Sequence, residues 1–151
     1  MIDVRRATPA DAAVLGRLLW DFNTEFETEA DPADVLAERF ARLLVRDEAI
    51  ALLAGEDEGF AFLTLRPAIW YDGPVSQLEE LYVAPDLRDR GIGTALLDAA
   101  RRLVRGLGSP EMHINVDEVD TDTRRFYDRH GFANIEAGKD YRMLCFIGPT
   151  G

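Results

Sequence analysis

The segment from Leu78 to Leu97 constrains the fold most, because it joins a strand-like run to a helical pattern through a loop containing two glycines. Pro85 ends the run, since proline cannot donate a hydrogen bond to a neighbouring strand. The helix that opens at Gly91 presents backbone N–H groups without partners inside the helix, and the glycines leave these groups accessible. Arg88 and Arg90 add positive charge. The segment therefore predicts a binding site for an anion such as a phosphate.

The residues around the two glycines distinguish between nucleotide motifs. The sequence has no G-x-x-x-x-G-K-[ST] and no G-x-G-x-x-G after its first strand. Residues 83–97 instead read Val-x-Pro-x-x-Arg-x-x-Gly-x-Gly-x-x-Leu-Leu, and residues 124–132 form a helical pattern with Phe-Tyr that ends in Gly-Phe. Together these segments resemble the two markers of the GNAT family of N-acetyltransferases. The resemblance covers nearly the whole chain and implies transfer of an acetyl group from acetyl-CoA to a primary amine.

Hydrophobic periodicity and turn residues divide the chain into the order β-α-α-β-β-β-α-β-α-β-β. Strands are predicted at Ile2–Arg6, Ala49–Ala54, Phe60–Arg66, Val75–Val83, Met112–Val116, Phe132–Ile135 and Tyr141–Ile147. Helices are predicted from Pro9 to Phe22, from Asp31 to Leu44, from Gly91 to Gly106 and from Asp122 to Arg129. This order predicts an α/β fold with a mixed, mostly antiparallel central sheet of about six to seven strands and about four flanking helices. The GNAT resemblance adds that the central strands splay apart.

Size and composition bound the class of protein. A chain of 151 residues with 47% hydrophobic residues is long enough for a buried core, so a single domain over residues 1–151 is expected. The longest apolar run, Ala49–Ala54, is far shorter than the roughly 20 residues of a membrane helix, which predicts no membrane partner and a cytoplasmic location. Cys145 has no second thiol with which to form a disulfide or bind a metal, and its apolar neighbours predict burial. No metal is expected.

The net charge of -11 argues against a nucleic-acid partner, because phosphate binding requires clustered lysines and arginines. The charge is uneven: residues 1–80 carry 7 basic and 17 acidic side chains, whereas residues 81–151 carry 10 and 11. The acidic half predicts a cationic partner. A surface kept acidic for solubility explains the same composition, and the sequence leaves both interpretations open.

The resemblance also assigns the residues that would hold acetyl-CoA. By it, backbone N–H groups around Val83 bind the thioester carbonyl, and the glycine loop binds the pyrophosphate. The cofactor-binding positions implied in this way are Leu81, Tyr82, Val83, Arg88, Asp89, Arg90, Gly91, Ile92, Gly93, Thr94, Asp120, Arg124 and Tyr127. One of them departs from the family pattern, because Asp120 stands where an asparagine is usual. A carboxylate at this position could not donate the usual amide hydrogen bond to the pantetheine arm.

Acetyl transfer to an amine needs a base, stabilisation of an oxyanion and a proton for the departing thiolate. The resemblance places Tyr127 near the sulfur, which makes it the expected general acid. Glu79 and Glu80 are the candidate bases, and because strand side chains alternate, only one faces the cleft unless a bulge intervenes. Glu79 is preferred, since it matches by position a glutamate of the diamine acetyltransferase branch. Cys145 is not expected to carry the acyl group, so the amine attacks directly in a ternary complex.

The acceptor is expected to lie between two segments that border it in the family, Asp21–Asp31 and Pro67–Pro74. The first is rich in carboxylates, and the second contains aromatic side chains that can contact an ammonium group. The implied substrate-binding residues are Phe22, Glu25, Trp70, Tyr71, Glu79 and His113. The likeness to the diamine branch points to a small cationic amine such as a polyamine or diamine, with aminoglycosides and lysine side chains behind them.

Two other functions are open at this point. A CoA-binding sensor or interaction module without turnover is compatible with Asp120, and a protein lysine or N-terminal acetyltransferase would need an open groove. The assembly expected from the sequence is a homodimer, because the apolar run Met143–Ile147 on the last predicted strand can pair with a second copy.

Overall fold

The computed structural model describes all residues from Met1 to Gly151. Its strands are β1 (Val4–Arg6), β2 (Ala49–Ala54), β3 (Gly59–Arg66), β4 (Val75–Val83) and β5 (Met112–Ile114). Its helices are α1 (Ala12–Glu25), α2 (Ala33–Leu43), α3 (Ile92–Gly106) and α4 (Thr121–Arg129). The chain divides into two compact units, Met1–Ile114 and Asn115–Gly151, and the expected single domain stays a prediction. None of the helices is both long and apolar enough to span a bilayer.

The first unit contains one five-stranded sheet in the order β1-β2-β3-β4-β5. Strands β1 to β4 pair antiparallel with their neighbours, and β5 lies parallel to β4. The mixed, mostly antiparallel sheet and the helices α1 to α4 confirm the predicted α/β class. The sheet has fewer strands than the sequence pattern predicted.

The core forms on both faces of the sheet, because the central strands are apolar on both sides. Every residue of β2 and the first five residues of β3 are buried. One face packs against α1 and α2 through a cluster that includes Leu15, Phe40 and Phe60. Helix α3 contacts β2, β3 and β4 and contributes the buried side chains of Leu96 and Leu97.

The two strands predicted after α4, Phe132–Ile135 and Tyr141–Ile147, are wrong, since residues 130–151 contain no helix or strand. A backbone hydrogen bond from Met143 N to Asn134 O, at 2.7 Å, joins the two segments. An apolar run predicts only a tendency to form a strand, and a strand also needs a neighbouring edge for its hydrogen bonds. Cys145 is exposed, which overturns its predicted burial.

Gly16 allows α1 and α2 to pack closely, and replacing it with alanine is expected to destabilise the fold. A Cβ atom on Gly16 would lie 2.6 Å from Ala33 O and 2.7 Å from Ala37 N, which are backbone atoms of α2. Gly16→Ala should therefore lower the free energy of unfolding by about 1–3 kcal/mol, because the helices must separate. Urea denaturation measures this change.

Gly106 in the last turn of α3 provides a matched control. A Cβ atom at this position meets no atom within 4 Å. Gly106→Ala is expected to leave the free energy of unfolding unchanged or to raise it slightly, since alanine has a higher helix propensity than glycine. Equal stability of the Gly16→Ala variant and the wild type would contradict the close contact between α1 and α2.

Candidate active site

A bulge in β4 places both predicted carboxylates on one face of the sheet. Phe62 of β3 pairs with Glu80, whereas the next residue, Leu63, pairs with Leu78, so that Glu79 is an extra residue in β4. A bulge of this kind breaks the alternation of side chains along a strand. Glu80 therefore lies on the same face as Phe62, which packs against α1 and α2.

Glu79 reaches the same face as Glu80. Its Oε1 accepts a hydrogen bond of 2.7 Å from the hydroxyl of Thr64, which lies two residues along β3 from Phe62 and so points to the same side. The sequence allowed only one of the two glutamates to face the cleft unless a bulge intervened. The structure contains that bulge.

The two carboxylates differ in their surroundings. Glu79 is exposed and accepts the hydrogen bond from Thr64. Glu80 is partly buried, and burial together with the charge of Glu79 raises the pKa of Glu80 to about 7. The pair can therefore attract a cation and supply a group, Glu80, that exchanges a proton near neutral pH.

Only the first part of β4 has β5 beside it. Strand β5 pairs with β4 only from Ser76 to Leu78, although β4 continues to Val83. The N–H of Ala84 donates to Glu58 O at 2.9 Å, and alternate amides of an antiparallel strand point in opposite directions. The N–H groups of Leu81 and Val83 therefore point away from β3, toward the edge of β4 where β5 no longer pairs. This opening agrees with the splayed strands expected from the sequence.

The glycine loop leads from the end of β4 into the first turn of α3. Two residues of the loop have left-handed backbone angles, Asp89 with φ of 61° and Gly91 with φ of 85°. Aspartate tolerates this region better than most residues, and glycine adopts it without strain. The N–H of Ala95 donates to Gly91 O, which makes Gly91 the residue before the first helical turn, and the N–H groups of Ile92 and Gly93 lie at the positive end of the helix. The arrangement fits the predicted anion site.

Arg88 takes part in a different set of contacts from those predicted. Its guanidinium donates two hydrogen bonds to the carboxylate of Glu25, at 2.6 and 2.7 Å, and its Nε donates to Val83 O at 3.0 Å. The guanidinium also lies 5.7 Å from the centre of the Tyr82 ring, which in turn stacks on Phe22 at 5.0 Å. Two residues predicted to border the acceptor, Phe22 and Glu25, are thereby fixed against β4 and the start of the glycine loop.

Two more residues predicted to bind the substrate, Tyr71 and His113, belong to an outer cluster where β3 ends and β5 begins. His113 Nε2 lies 2.7 Å from one oxygen of Glu111, and Tyr71 donates a hydrogen bond of 3.2 Å to the other. Arg66 contacts the second ring nitrogen of His113 at 2.9 Å. The hydrogen bond with His113 lowers the pKa of Glu111. Trp70, which precedes Tyr71 in the sequence, is 86% exposed.

Two surface cavities border the two segments predicted to contact the acceptor. One, of about 610 Å³, includes Asn23 and the acidic residues Glu29 and Asp31 in its lining. The other, of about 410 Å³, lies between the turn at Asp47 and the loop of residues 67–74. Both are open to solvent. Neither is lined by the two glutamates of β4.

The second unit contains the other predicted residues. Asp120 caps α4, because its Oδ1 accepts a hydrogen bond from the N–H of Thr123 at 3.2 Å. Arg124 donates to Glu118 O at 2.9 Å. The side chain of Tyr127 is buried and lies edge-on to the ring of Phe132 at 5.9 Å. An aspartate performs the capping role as well as an asparagine does, so the departure from the family pattern leaves the helix start intact.

Comparison with known proteins agrees with these features. A model of the Acetyltransferase (GNAT) family matches residues 14–132. The chain belongs to this family. It is an acetyl-CoA-dependent N-acetyltransferase. The match includes the glycine loop, the bulged strand β4 and the start of the segment after α4.

Relatives within the GNAT family act on different amines. The chain is 32% identical over 137 residues to an aminoglycoside N(6')-acetyltransferase type 1 of Klebsiella aerogenes, covering 87% of this chain and 84% of that protein. It is 27% identical over 159 aligned positions to a peptidyl-lysine N-acetyltransferase of Salmonella typhimurium, covering 99% of each. A solved structure of a proposed acetyltransferase from Arthrobacter sp. FB24 is 47% identical, with a TM-score of 0.91 over 97% of this chain and 95% of that one.

Three residues that contact the predicted GNAT site were not identified from the sequence. Thr64, Arg66 and Glu111 each bind a predicted residue through the side chain. Glu111 could have been identified from the sequence, because it lies two residues before His113. Side chains two residues apart along an extended chain point to the same side. Thr64 and Arg66 could not, since their positions depend on how β3 pairs with β4.

Proposed function

We propose that this GNAT enzyme acetylates a primary amine of a cationic small molecule, with an amino sugar of the aminoglycoside type as the first candidate. The observation that carries this proposal is the pair of carboxylates that the bulge in β4 turns to one face. Glu79 is an exposed anion next to Thr64, and Glu80 exchanges its proton near neutral pH. A protonated amine needs both features, since it must be attracted and then deprotonated.

In this mechanism Glu80 is the general base and Glu79 attracts the ammonium group. The assignment reverses the preference for Glu79 drawn from the sequence, because the partly buried Glu80 has a pKa of about 7, near the working pH. The free amine then attacks the thioester carbon, forming a C–N bond and breaking the C–S bond. The amides of Val83 and Leu81 are the proposed donors to the oxygen that gains negative charge.

The glycine loop and Arg90 are the proposed contacts for the pyrophosphate, supported by the N–H groups of the first turn of α3. Tyr127 is the proposed acid that protonates the leaving thiolate. Its support is the family resemblance together with the burial of its side chain. The other cofactor-binding positions, apart from Arg88, stay as the resemblance assigns them.

The choice of acceptor rests on charge and on the relatives. Residues 1–80 carry 17 acidic side chains against 7 basic ones, and the larger cavity contains Glu29 and Asp31. Opposite charge raises the rate at which a polycation reaches the site. A polyamine and an aminoglycoside are both polycations, and the likeness to an aminoglycoside acetyltransferase favours the second. The polyamine expected from the sequence becomes the second small-molecule candidate.

A direct assay tests the reaction and the acceptor together. The protein is mixed with acetyl-CoA and, in separate wells, with an aminoglycoside, spermidine, putrescine, free lysine, a lysine peptide or a neutral amine, and the release of free thiol is followed. We expect the aminoglycoside to give the largest kcat/KM, and mass spectrometry of the product to show one added acetyl group. Thiol release with the neutral amine alone, or with none of the amines, would contradict the proposal.

A lysine side chain of a protein is a second candidate acceptor. The likeness to a peptidyl-lysine acetyltransferase over the full length of the chain favours it. The lysine peptide in the panel separates the two candidates, because an enzyme of this type acetylates the peptide in preference to the aminoglycoside. The same panel tests the alternative of a sensor without turnover, because such a protein would bind acetyl-CoA and release thiol with none of the amines.

We also propose that the protein forms a homodimer. Several apolar side chains of the last segment are exposed, including Leu144, Phe146 and Ile147. Exposed apolar patches of this kind are typical of interaction sites. Sedimentation of the wild type and of a Phe146→Glu variant tests the proposal, which requires a dimer that the charged side chain dissociates. The cytoplasmic location likewise stays a prediction.

A further inference from the structure

The side chain of Arg88 links the end of α1 to the end of β4. Its three bonded N–H groups are directed at the two oxygens of Glu25, at 2.6 and 2.7 Å, and at Val83 O, at 3.0 Å. The planar guanidinium matches a carboxylate in this two-bonded geometry, which a lysine could not reproduce. The pair is partly screened from water, with side-chain exposures of 37% for Arg88 and 27% for Glu25.

Aromatic contacts hold the same turn of α1 in place. Phe22, one turn before Glu25, stacks on the buried ring of Tyr82 with an angle of 19° between the rings, and Phe26 lies edge-on to Phe22 at 5.4 Å. The guanidinium of Arg88 lies on the Tyr82 ring as well. The last turn of α1 is therefore fixed by a stack of rings and by one ion pair at its edge.

We infer that Arg88 is a positioning residue for the acceptor side of the site, rather than a ligand of the cofactor phosphates. This inference rests on the proposed function, in which the end of α1 borders the acceptor. Turning Arg88 toward a phosphate would break both bonds to Glu25 and leave that carboxylate without its partner. Arg90, two residues later in the same loop, is exposed and can meet a phosphate without such a loss.

Matched substitutions at the two arginines test the inference. Arg88→Gln should raise the KM for the acceptor about fivefold and leave kcat and the Kd for acetyl-CoA within about twofold. Arg90→Gln should have the opposite pattern: the Kd for acetyl-CoA should rise about fivefold, and the KM for the acceptor should not change. Glu25→Gln removes the same ion pair from its other side, and the double variant with Arg88→Gln should be no worse than either single variant.

Amide hydrogen exchange provides a readout that needs no turnover. Arg88→Gln and Glu25→Gln should each speed exchange at residues 22–26, and Arg90→Gln should not. Unchanged exchange in α1, together with a loss of acetyl-CoA affinity in Arg88→Gln equal to that in Arg90→Gln, would overturn the inference. A wild-type protein that binds acetyl-CoA but acetylates no amine would contradict the proposed function alone, since calorimetry and exchange still report the role of Arg88.

Discussion

Replacing Glu80 with glutamine is expected to lower kcat/KM for the acceptor by about 10²- to 10⁴-fold, the range for loss of a general base. Glutamine keeps the size of the side chain but cannot take a proton from the amine. The bulge leaves Glu80 partly buried beside the charge of Glu79, which is why its pKa rises to about 7. Steady-state rates of thiol release at saturating acetyl-CoA measure the effect.

The neighbouring carboxylate is the matched control for this variant. Glu79→Gln keeps an oxygen that accepts the hydrogen bond from Thr64, and it removes the exposed charge, which is the smaller of the two causes of the raised pKa of Glu80. We expect a rise in acceptor KM of about fivefold with little change in kcat. If Glu79→Gln loses the rate and Glu80→Gln keeps it, the two roles are reversed and the assignment from the sequence is restored.

The pH dependence follows from the raised pKa of Glu80. The base must be deprotonated, so kcat/KM of the wild type should rise with pH through about 7, and this limb should disappear in Glu80→Gln. Stability changes in the opposite direction. A carboxyl whose pKa is raised in the folded state binds its proton more tightly there, so its contribution is complete below about pH 4 and is lost as pH rises through 7. Glu80→Gln should therefore be more stable than the wild type at pH 8 but not at pH 4.

Local sequence patterns predicted the parts of this site that local structure builds. The strand, the glycine loop and the start of α3 follow one another along residues 78–97, and each depends mainly on its own residues. Pro85 ends the ladder and Gly91 adopts the left-handed backbone that begins the helix. The conformation of the glycine loop, the order of the first nine elements and the α/β class were accordingly predictable.

Contacts between distant residues decided the parts that were not predictable. The bulge at Glu79 depends on how β3 and β4 align, and no pattern within β4 specifies that alignment. The pairing of Arg88 with Glu25 joins residues 63 positions apart and requires α1 to reach the glycine loop. The prediction of two terminal strands is wrong for the same reason, because an apolar run cannot form a strand without a neighbouring strand edge to pair with.

Phe60→Ala is expected to lower the free energy of unfolding by about 3–5 kcal/mol, as is typical for a large aromatic removed from a core. The side chain is fully buried and lies edge-on to Phe40 of α2 at 6.2 Å, and its centre lies 6.4 Å from Tyr82 of β4. Its loss leaves a cavity between the helices and the strand that carries the two carboxylates. A change of this size is a large part of the stability of an ordinary domain.

Phe146→Ala is the matched control, because it removes the same side chain from a position that is 92% exposed. Urea denaturation at a concentration low enough to keep the protein monomeric should give a change within about 0.5 kcal/mol. If Phe146→Ala costs as much as Phe60→Ala, the last segment packs as the sequence pattern predicted, and its apolar side chains belong to a core. If only Phe60→Ala is costly, those side chains are available to a second copy of the chain, which is the condition that the proposed homodimer requires.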